Sequence, residues 1–253
     1  MLSLYRALFP LRTTYCVTDL TPSPAPNGST LVGPVMFRLS VRHLKRKALE
    51  NCIWVGVRPP PDLKDIPGYL HPLECRFLYW LANRVSAGGV ALEVGSFKGK
   101  SSANIAAGLS AGSRLVCVDT WMNDAMPYDS KADVFSEFEQ NVRQYADRID
   151  THRNTSVTVS ESWNQPIDLL FIDGDHSYEG CSSDLESWMP FVRPGGYVAL
   201  HDSAERGVVK AIEELFPEHQ RTSEMNVWSI FAARKKRYDA RQTTRRLGVC
   251  ADL

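Results

Sequence analysis

From about residue 90 onward, the chain alternates short apolar runs with longer segments that carry apolar residues at helical spacing. The apolar runs are too short for buried helices, so they predict strands. The helical segments predict amphipathic helices, one of which ends near a glycine. The predicted strands are VALEVGS, RLVCVDTW, IDLLFIDGDH, YVALHD and, as an antiparallel edge strand, NVWSIFAARK.

Four predicted helices separate these strands: KSSANIAAGLSA, ADVFSEFEQNVRQYADR, YEGCSSDLESWMPFV and GVVKAIEELF. This alternation predicts a doubly wound α/β fold of Rossmann type, in which helices cover both faces of a mostly parallel sheet. Upstream, a stretch rich in Pro, Ser and Gly (21–34) is typical of a linker or of an extended segment that wraps along the surface. We therefore expect an N-terminal extension over 1–60, a lid or dimer segment, then a domain over 61–240 and a polar tail over 241–253.

Composition narrows the class of protein. The 253 residues include 29 basic and 29 acidic side chains. The chain therefore lacks the surplus of basic residues that would favour a nucleic acid partner. Six cysteines occur without a C-x-x-C pair, which predicts a reducing, cytoplasmic setting. The opening MLSLYRALFPLR is interrupted by Arg6 and Pro10, so we expect neither a targeting segment nor a membrane span.

The stretch ALEVGSFKGKSS resembles a phosphate-binding loop but does not fit one. The spacing from Gly95 to Gly99-Lys100 is one residue short of a P-loop, and Phe97 stands where a dinucleotide fingerprint has its second glycine. Glu93 would also repel a polyphosphate. A P-loop phosphotransferase is therefore the least favoured class.

In parallel sheets, ligands bind at the carboxyl ends of the strands, and the polar residues of this chain collect there. Asp119 follows the glycine loop by about 20 residues, where an acid accepts hydrogen bonds from ribose hydroxyls. An Asp that only caps a helix or a turn is an equally good interpretation of this residue. Glu93 could hold an ammonium group, directly or through water. A ligand with a ribose, no phosphate and a cationic amino acid end is S-adenosylmethionine.

Four motifs in order, EVGSFKGKSS, VDTW, IDLLFIDGDHSYEG and RPGGYVALHD, resemble the class I S-adenosylmethionine-dependent methyltransferases over roughly 72–202. The branch most similar in these motifs is that of bacterial small-molecule O-methyltransferases of the macrocin type. The resemblance implies a cofactor site with a ribose contact at Asp119, adenine neighbours at Thr120 and Trp121, and an adenine-edge contact at Ser156. Trp121 is explained equally well as a core aromatic. The other implied cofactor residues are Glu93, Gly95, Ser96, Gly99 and Asp173.

Metal-dependent relatives hold Mg²⁺ with an acid after the fourth strand and an Asp-Asp or Asp-Asn pair after the fifth. Here the matching residues are Asp173 and the pair His201-Asp202. Imidazole suits Zn²⁺, Mn²⁺ or Fe²⁺ better than Mg²⁺, so a metal site of this composition and a metal-free site both stay open.

Two histidines, His176 and His201, are candidate bases because their ordinary pKa lies near neutrality. With a metal, His176 is free to take the proton; without one, His201 is the favoured base. Each could instead hydrogen-bond loop backbone.

We therefore expect an enzyme that transfers a methyl group from S-adenosylmethionine to a hydroxyl of a small molecule, such as a sugar or natural-product intermediate, with a homodimer as one arrangement. The alternative is an adenosyl- or nucleotide-binding module of the same fold without transferase activity, because a fold does not fix a function.

Overall fold

The computed structural model describes residues 33–122 and 133–237. The chain divides into Met1–Leu39, of which the first turns of one helix are described, and Ser40–Leu253, which holds the sheet. Most of the predicted extension, residues 123–132 and the predicted tail lie outside the described residues. The predicted domain boundaries therefore stay predictions.

Helices and strands alternate along most of the described residues. The helices are α1 (Gly33–Gly56), α2 (Pro72–Ala82), α3 (Lys100–Gly108), α4 (Phe135–Val142), α5 (Ser156–Ser160), α6 (Tyr178–Trp188) and α7 (Arg206–Leu215). The strands are β1 (Val90–Val94), β2 (Arg114–Asp119), β3 (Ile149–Arg153), β4 (Ile167–Ile172), β5 (Val192–Leu200), β6 (Arg221–Val227) and β7 (Ile230–Lys235). Short 3₁₀ turns lie at Pro61–Asp65, Arg143–Arg148, Met189–Phe191 and Glu218–Gln220.

The described strands form one sheet in the order β3-β2-β1-β4-β5-β7-β6. Strands β1 to β5 are parallel, whereas β7 runs antiparallel to β5 and β6 antiparallel to β7. The strand order reverses between β1 and β4, and a crevice opens at the carboxyl ends of strands at such a point. This confirms the predicted Rossmann-like fold and fixes where a ligand site is expected.

The two faces of the sheet bury different side chains because successive strand residues alternate. Ala91, Leu115 and Phe171 pack on one face with the apolar side of α2, while Leu92 and Leu170 pack on the other. Cys117 is a fully buried free thiol, as its apolar run predicts. Within the described ranges, no helix combines the length and the apolar character needed to cross a membrane.

The predicted edge strand NVWSIFAARK is wrong in detail, because it contains a turn. Strand β6 ends at Val227 and β7 begins at Ile230, so that β6, not this predicted strand alone, forms the sheet edge. Trp228 occupies the turn with a positive φ of 54° and is 51% exposed. The turn has no Gly or Pro, which is why the pattern of the sequence did not reveal it.

Two elements were not predicted at all. Strand β3 is the other sheet edge, and four of its five residues are exposed, so it has no apolar run. Helix α5 has only five residues and starts at the N-cap Thr155, whose side chain accepts the N–H of Thr158. The long helix predicted over 132–148 is instead α4 followed by a 3₁₀ turn.

Candidate active site

A cavity of about 310 Å³ opens at the carboxyl ends of β1, β2 and β4 and extends to the start of α5. This volume lies at the lower end of the range of small-molecule sites. Six of the nine predicted cofactor residues line it: Gly95, Asp119, Thr120, Trp121, Ser156 and Asp173. The other three, Glu93, Ser96 and Gly99, lie in or behind the loop between β1 and α3.

Gly95 brings this loop against the end of β4. Its φ is +83°, and a Cβ atom there would lie 2.2 Å from the backbone oxygen of Asp173. A side chain is therefore excluded by both conformation and space. The loop then continues to Gly99, which has a φ of +85° and is the N-cap residue of α3.

Asp119 fastens the same loop to the end of β2. One oxygen, Oδ2, accepts the N–H groups of Ser96 at 2.7 Å and Phe97 at 2.8 Å, and Oδ1 accepts the N–H of Trp121 at 2.7 Å. A carboxylate offers about four acceptor positions, and these three bonds do not use all of them. Asp119 thus accepts backbone N–H groups of the loop and also lines the cavity. Its contact with a ribose stays a prediction.

Glu93 is fully buried at the end of β1. Its Oε2 accepts the hydroxyls of Ser96 at 2.8 Å and of Ser102, and lies 3.5 Å from the Cys117 thiol. Burial raises the pKa of Glu93 to about 7, against the opposing hydrogen bonds from Ser101, Ser102 and Ser96. Its Oε1 has no hydrogen-bond partner among the described residues. The predicted contact with an ammonium group stays a prediction.

Trp121 is both a core aromatic and a wall of the cavity. Its ring is fully buried, edge-on to Phe135 and tilted against Phe138. Its indole Nε1 meets no acceptor within the described part of the chain. The two interpretations of this residue are therefore compatible.

Ser156 and Asp184 line the cavity on the side of α5 and α6. The Ser156 hydroxyl accepts the indole N–H of Trp188 at 2.8 Å. Asp184 is buried, and burial raises the pKa of its carboxyl to about 6. Sequence reasoning missed Asp184 because it lies in the middle of a helix rather than at a strand end.

At the ends of β4 and β5, four side chains converge: Asp173, His176, His201 and Asp202. Each offers one ligand atom, and these atoms lie within 4.8 Å of one another. The His201 Nδ1 atom is 3.1 Å from Asp173 Oδ1 and 3.1 Å from Asp202 Oδ2. The structure therefore brings together the predicted metal ligands and the second candidate base.

The geometry of this cluster fits a divalent cation. His201 Nδ1 is buried, and neither of its 3.1 Å contacts has the alignment of a hydrogen bond, so the atom lacks a hydrogen-bond partner among the described residues. Two ligand atoms at right angles, each about 2.1 Å from an ion, are about 3 Å apart. One imidazole and two carboxylates suit Mn²⁺, Fe²⁺ or Zn²⁺.

Nearby carboxylates raise the pKa of both histidines in this cluster. Burial lowers the pKa of His201, but the carboxylates of Asp173, Asp202 and Glu74 outweigh it and raise the pKa well above its usual value. For His176, the hydrogen bond with Asp173 raises the pKa more than burial lowers it. The carboxylates around both rings therefore favour positive charge at this place.

Glu74 and Ser229 reach His201 from its other side, and sequence reasoning missed both. Glu74, on α2, is 1% exposed, and its Oε1 lies 3.3 Å from His201 Nε2. The Ser229 hydroxyl lies 3.2 Å from the same nitrogen. The signal available for Glu74 was a helix-capping pattern with His71, which points to a structural role alone.

Residues 92–203 match the model of a family described as a methyltransferase domain. The chain contains a methyltransferase domain. The match runs from β1 through the end of β5 and so includes the glycine loop, Asp119 and the four-residue cluster. This confirms the class I methyltransferase domain that the motifs predict.

Known proteins resemble this domain at low sequence identity. Protein y4gI of Sinorhizobium fredii is 28% identical over 90 residues, which are 35% of this chain and 10% of that protein, so the chain matches about a tenth of the length of this curated relative. The O-methyltransferase of Bacillus cereus, solved with S-adenosylhomocysteine, is 17% identical, with a TM-score of 0.54 over 74% of this chain and 97% of that chain. TomG of Streptomyces achromogenes, an O-methyltransferase of tomaymycin synthesis solved with S-adenosylmethionine, is 16% identical, with a TM-score of 0.55 over 72% and 92%. Likeness at this level shows the shared fold.

Proposed function

We propose that the chain transfers a methyl group from S-adenosylmethionine to a hydroxyl of a small molecule, assisted by a divalent cation. One observation carries the proposal: Asp173 belongs both to the cavity wall and to the acid–imidazole cluster. A ligand that fills the cavity therefore has one end beside the cluster. The solved relatives from B. cereus and S. achromogenes carry S-adenosylhomocysteine and S-adenosylmethionine, which supports this choice of ligand.

The order of the strands sets the direction of the ligand. Asp119, at the end of β2, would accept the ribose hydroxyls, and Ser156, after β3, lies on the adenine side. Gly95 and Asp173, at the ends of β1 and β4, would then border the amino acid and sulfonium end. This direction brings the reacting methyl group toward the cluster.

The chemistry demanded of the protein is modest, because a sulfonium is already an activated methyl donor. Holding the acceptor oxygen in line supplies most of the rate, with effective molarities that can reach roughly 10⁵ M or more. A divalent cation bound by Asp173, His201 and Asp202 would act as a Lewis acid on the acceptor hydroxyl and lower its pKa. His176 would take the hydroxyl proton, since its ring lies at the cluster beside Asp173 and Asp202.

The acceptor is proposed as a small hydroxyl compound, a sugar or a natural-product intermediate, and not a nucleic acid. The balanced charge of the chain supports this choice, because phosphate backbones are bound by a basic surplus. Four described cysteines are free, which supports the proposal that the protein functions in a reducing, cytoplasmic compartment. A homodimer is part of the same proposal.

Calorimetric titration tests the cofactor. We expect S-adenosylhomocysteine to bind tightly and ATP and NAD to bind weakly, since the loop presents carboxylates where phosphates need N–H donors. Asp119→Ala should weaken S-adenosylhomocysteine binding about 10-fold or more, because buried ribose hydroxyls lose their acceptor. Asp150→Ala is the control, because Asp150 pairs with Arg114 on the neighbouring strand and does not line the cavity as described.

Comparable ATP affinity would contradict the cofactor assignment. Tight S-adenosylhomocysteine binding without methylated product across a broad panel of hydroxyl acceptors would favour the adenosyl-binding module without transferase activity.

A further inference from the structure

Glu74 is distant in sequence from the ends of β4 and β5, yet its carboxylate contacts the imidazole of His201. Its Oε1 lies 3.3 Å from His201 Nε2. Three further donors hold it in place: the N–H of His71 at 2.8 Å on Oε2, and the N–H and hydroxyl of Ser229 at 3.0 and 2.5 Å on Oε1. A side chain held by donors from two different elements does not turn away from His201.

The fixed carboxylate decides which nitrogen of His201 carries a proton. A neutral imidazole has one N–H, and that proton stays where an acceptor faces it. On the Nε2 side, the Ser229 hydroxyl lies 3.2 Å away and is left to accept, because Glu74 Oε1 takes its proton, and Glu74 Oε1 itself lies 3.3 Å from Nε2. On the Nδ1 side, the oxygens of Asp173 and Asp202 are the atoms that a cation would engage.

We propose that Glu74 is a positioning residue that keeps the His201 proton on Nε2 and so leaves the Nδ1 lone pair to bind the cation beside Asp173 and Asp202. The inference rests on the cation of the proposed function. Carboxylates that hold the far N–H of a metal-binding histidine fix its tautomer and ring orientation, and losing one typically costs about 10- to 100-fold in metal affinity.

A merely structural role of Glu74 can be separated from this one, because a second buried glutamate supports the same turn. Glu50, on α1, accepts the N–H of Trp228 at 3.3 Å through Oε1, as Glu74 accepts that of Ser229. The described contacts of Glu50 are with Arg46, Lys47 and Trp228 and do not include His201. Glu50→Gln is therefore a matched control for loss of a buried carboxylate at the β6–β7 turn.

Glu74→Gln is the informative variant because it keeps the size of the side chain. With its amide oxygen toward the N–H of His71, the helix cap is preserved, and the amide NH₂ then faces His201 Nε2, the Ser229 hydroxyl and the Ser229 N–H, which loses its acceptor. An NH₂ group can only donate, so Nε2 becomes the acceptor and the proton moves to Nδ1. A proton on Nδ1 excludes the cation from that atom.

The test is calorimetric titration of Mn²⁺ into the full-length wild type, Glu74→Gln and Glu50→Gln, with S-adenosylhomocysteine binding as the check on folding. We expect Glu74→Gln to bind Mn²⁺ about 10- to 100-fold more weakly, while Glu50→Gln binds it like the wild type and all three bind S-adenosylhomocysteine alike. Wild-type Mn²⁺ affinity in folded Glu74→Gln would overturn the inference, and so would an equal loss in both variants.

If Glu74→Gln does not fold, nitrogen NMR of the wild type labelled with ¹⁵N-histidine and loaded with Zn²⁺ decides. The expected spectrum shows His201 with a proton on Nε2 and Zn²⁺ on Nδ1, and the reverse pattern would overturn the inference. A wild type that binds S-adenosylhomocysteine but neither Mn²⁺ nor Zn²⁺ would remove the cation from the proposed function, and the role of Glu74 with it.

Discussion

At the level of single residues, the proposed function has His176 take the proton from the hydroxyl of the methyl acceptor. Its Nε2 lies 3.5 Å from Asp173 Oδ1, its Nδ1 lies 3.3 Å from Asp202 Oδ2, and a third of the side chain is exposed. It is therefore held at the cluster and still reachable from solvent, whereas His201 is buried between carboxylates.

His176→Ala should lower methyl transfer about 100-fold or more, the usual contribution of a positioned base. S-adenosylhomocysteine affinity should not change, because His176 does not line the cavity as described. His219→Ala, at an exposed 3₁₀ turn, is the control. Turnover of His176→Ala at the wild-type rate would remove the base assignment.

Glu93 predicts a pH dependence of stability. Burial raises its pKa from 4.5 to about 7, so between these values the folded protein keeps a proton that the unfolded chain has lost. Stability is therefore greatest below the lower value and falls as the pH rises through the window, by about 3 kcal/mol for this one group. The check is urea unfolding from pH 4.5 to 8, where Glu93→Gln should gain on the wild type as the pH rises. A pH-independent difference, like that expected for the exposed Glu139→Gln, would contradict the burial effect.

At the level of elements, the loop between β1 and α3 depends on its close approach to β4. Gly95→Ala should destabilise the protein and weaken S-adenosylhomocysteine binding, since the new Cβ meets the Asp173 backbone at 2.2 Å. Gly88→Ala is a matched control: its φ is also positive, at +72°, but no heavy atom lies within 4 Å of the added Cβ. Gly88→Ala should lose about 1 kcal/mol of stability, which is the backbone cost alone. Equal effects of the two variants, measured by urea unfolding and calorimetry, would show that the close approach is unimportant.

How far each element could be predicted follows from its burial. Strands β1 and β4 are buried throughout and β2 is buried except at its two end residues, so their apolar runs are visible in the sequence and bring Asp119 and Asp173 to the carboxyl ends of the strands. The exposed strand β3 has no such run, and the β6–β7 turn at Trp228 has no Gly or Pro. Glu74 could not be found, because its contact with His201 depends on how α2 packs and not on any spacing along the chain.

At the level of the whole molecule, the site combines the matched methyltransferase domain with residues outside it. Asp173, His201 and Asp202 lie within 92–203, whereas Glu74 comes from α2 and Ser229 from the β6–β7 turn. The proposed cation site would therefore depend on elements that flank the domain on both sides.

Methyl transfer should be lost in a chelator and restored by added divalent ions, with Mn²⁺ or Zn²⁺ more effective than Mg²⁺ because of the imidazole ligand. S-adenosylhomocysteine binding in the chelator should be unchanged, since Asp119 and Gly95 are not among the proposed ligands of the cation. Full turnover in the chelator would remove the metal role.

The most direct test of the central claim is a crystal structure of the full chain with S-adenosylhomocysteine and Mn²⁺, using the anomalous signal of the ion. We predict the ribose hydroxyls on Asp119 and an Mn²⁺ peak about 2.0 to 2.3 Å from Asp173 Oδ1, His201 Nδ1 and Asp202 Oδ2. A nucleoside bound outside the cavity, or a fully occupied cavity with no ion at the cluster, would contradict the account.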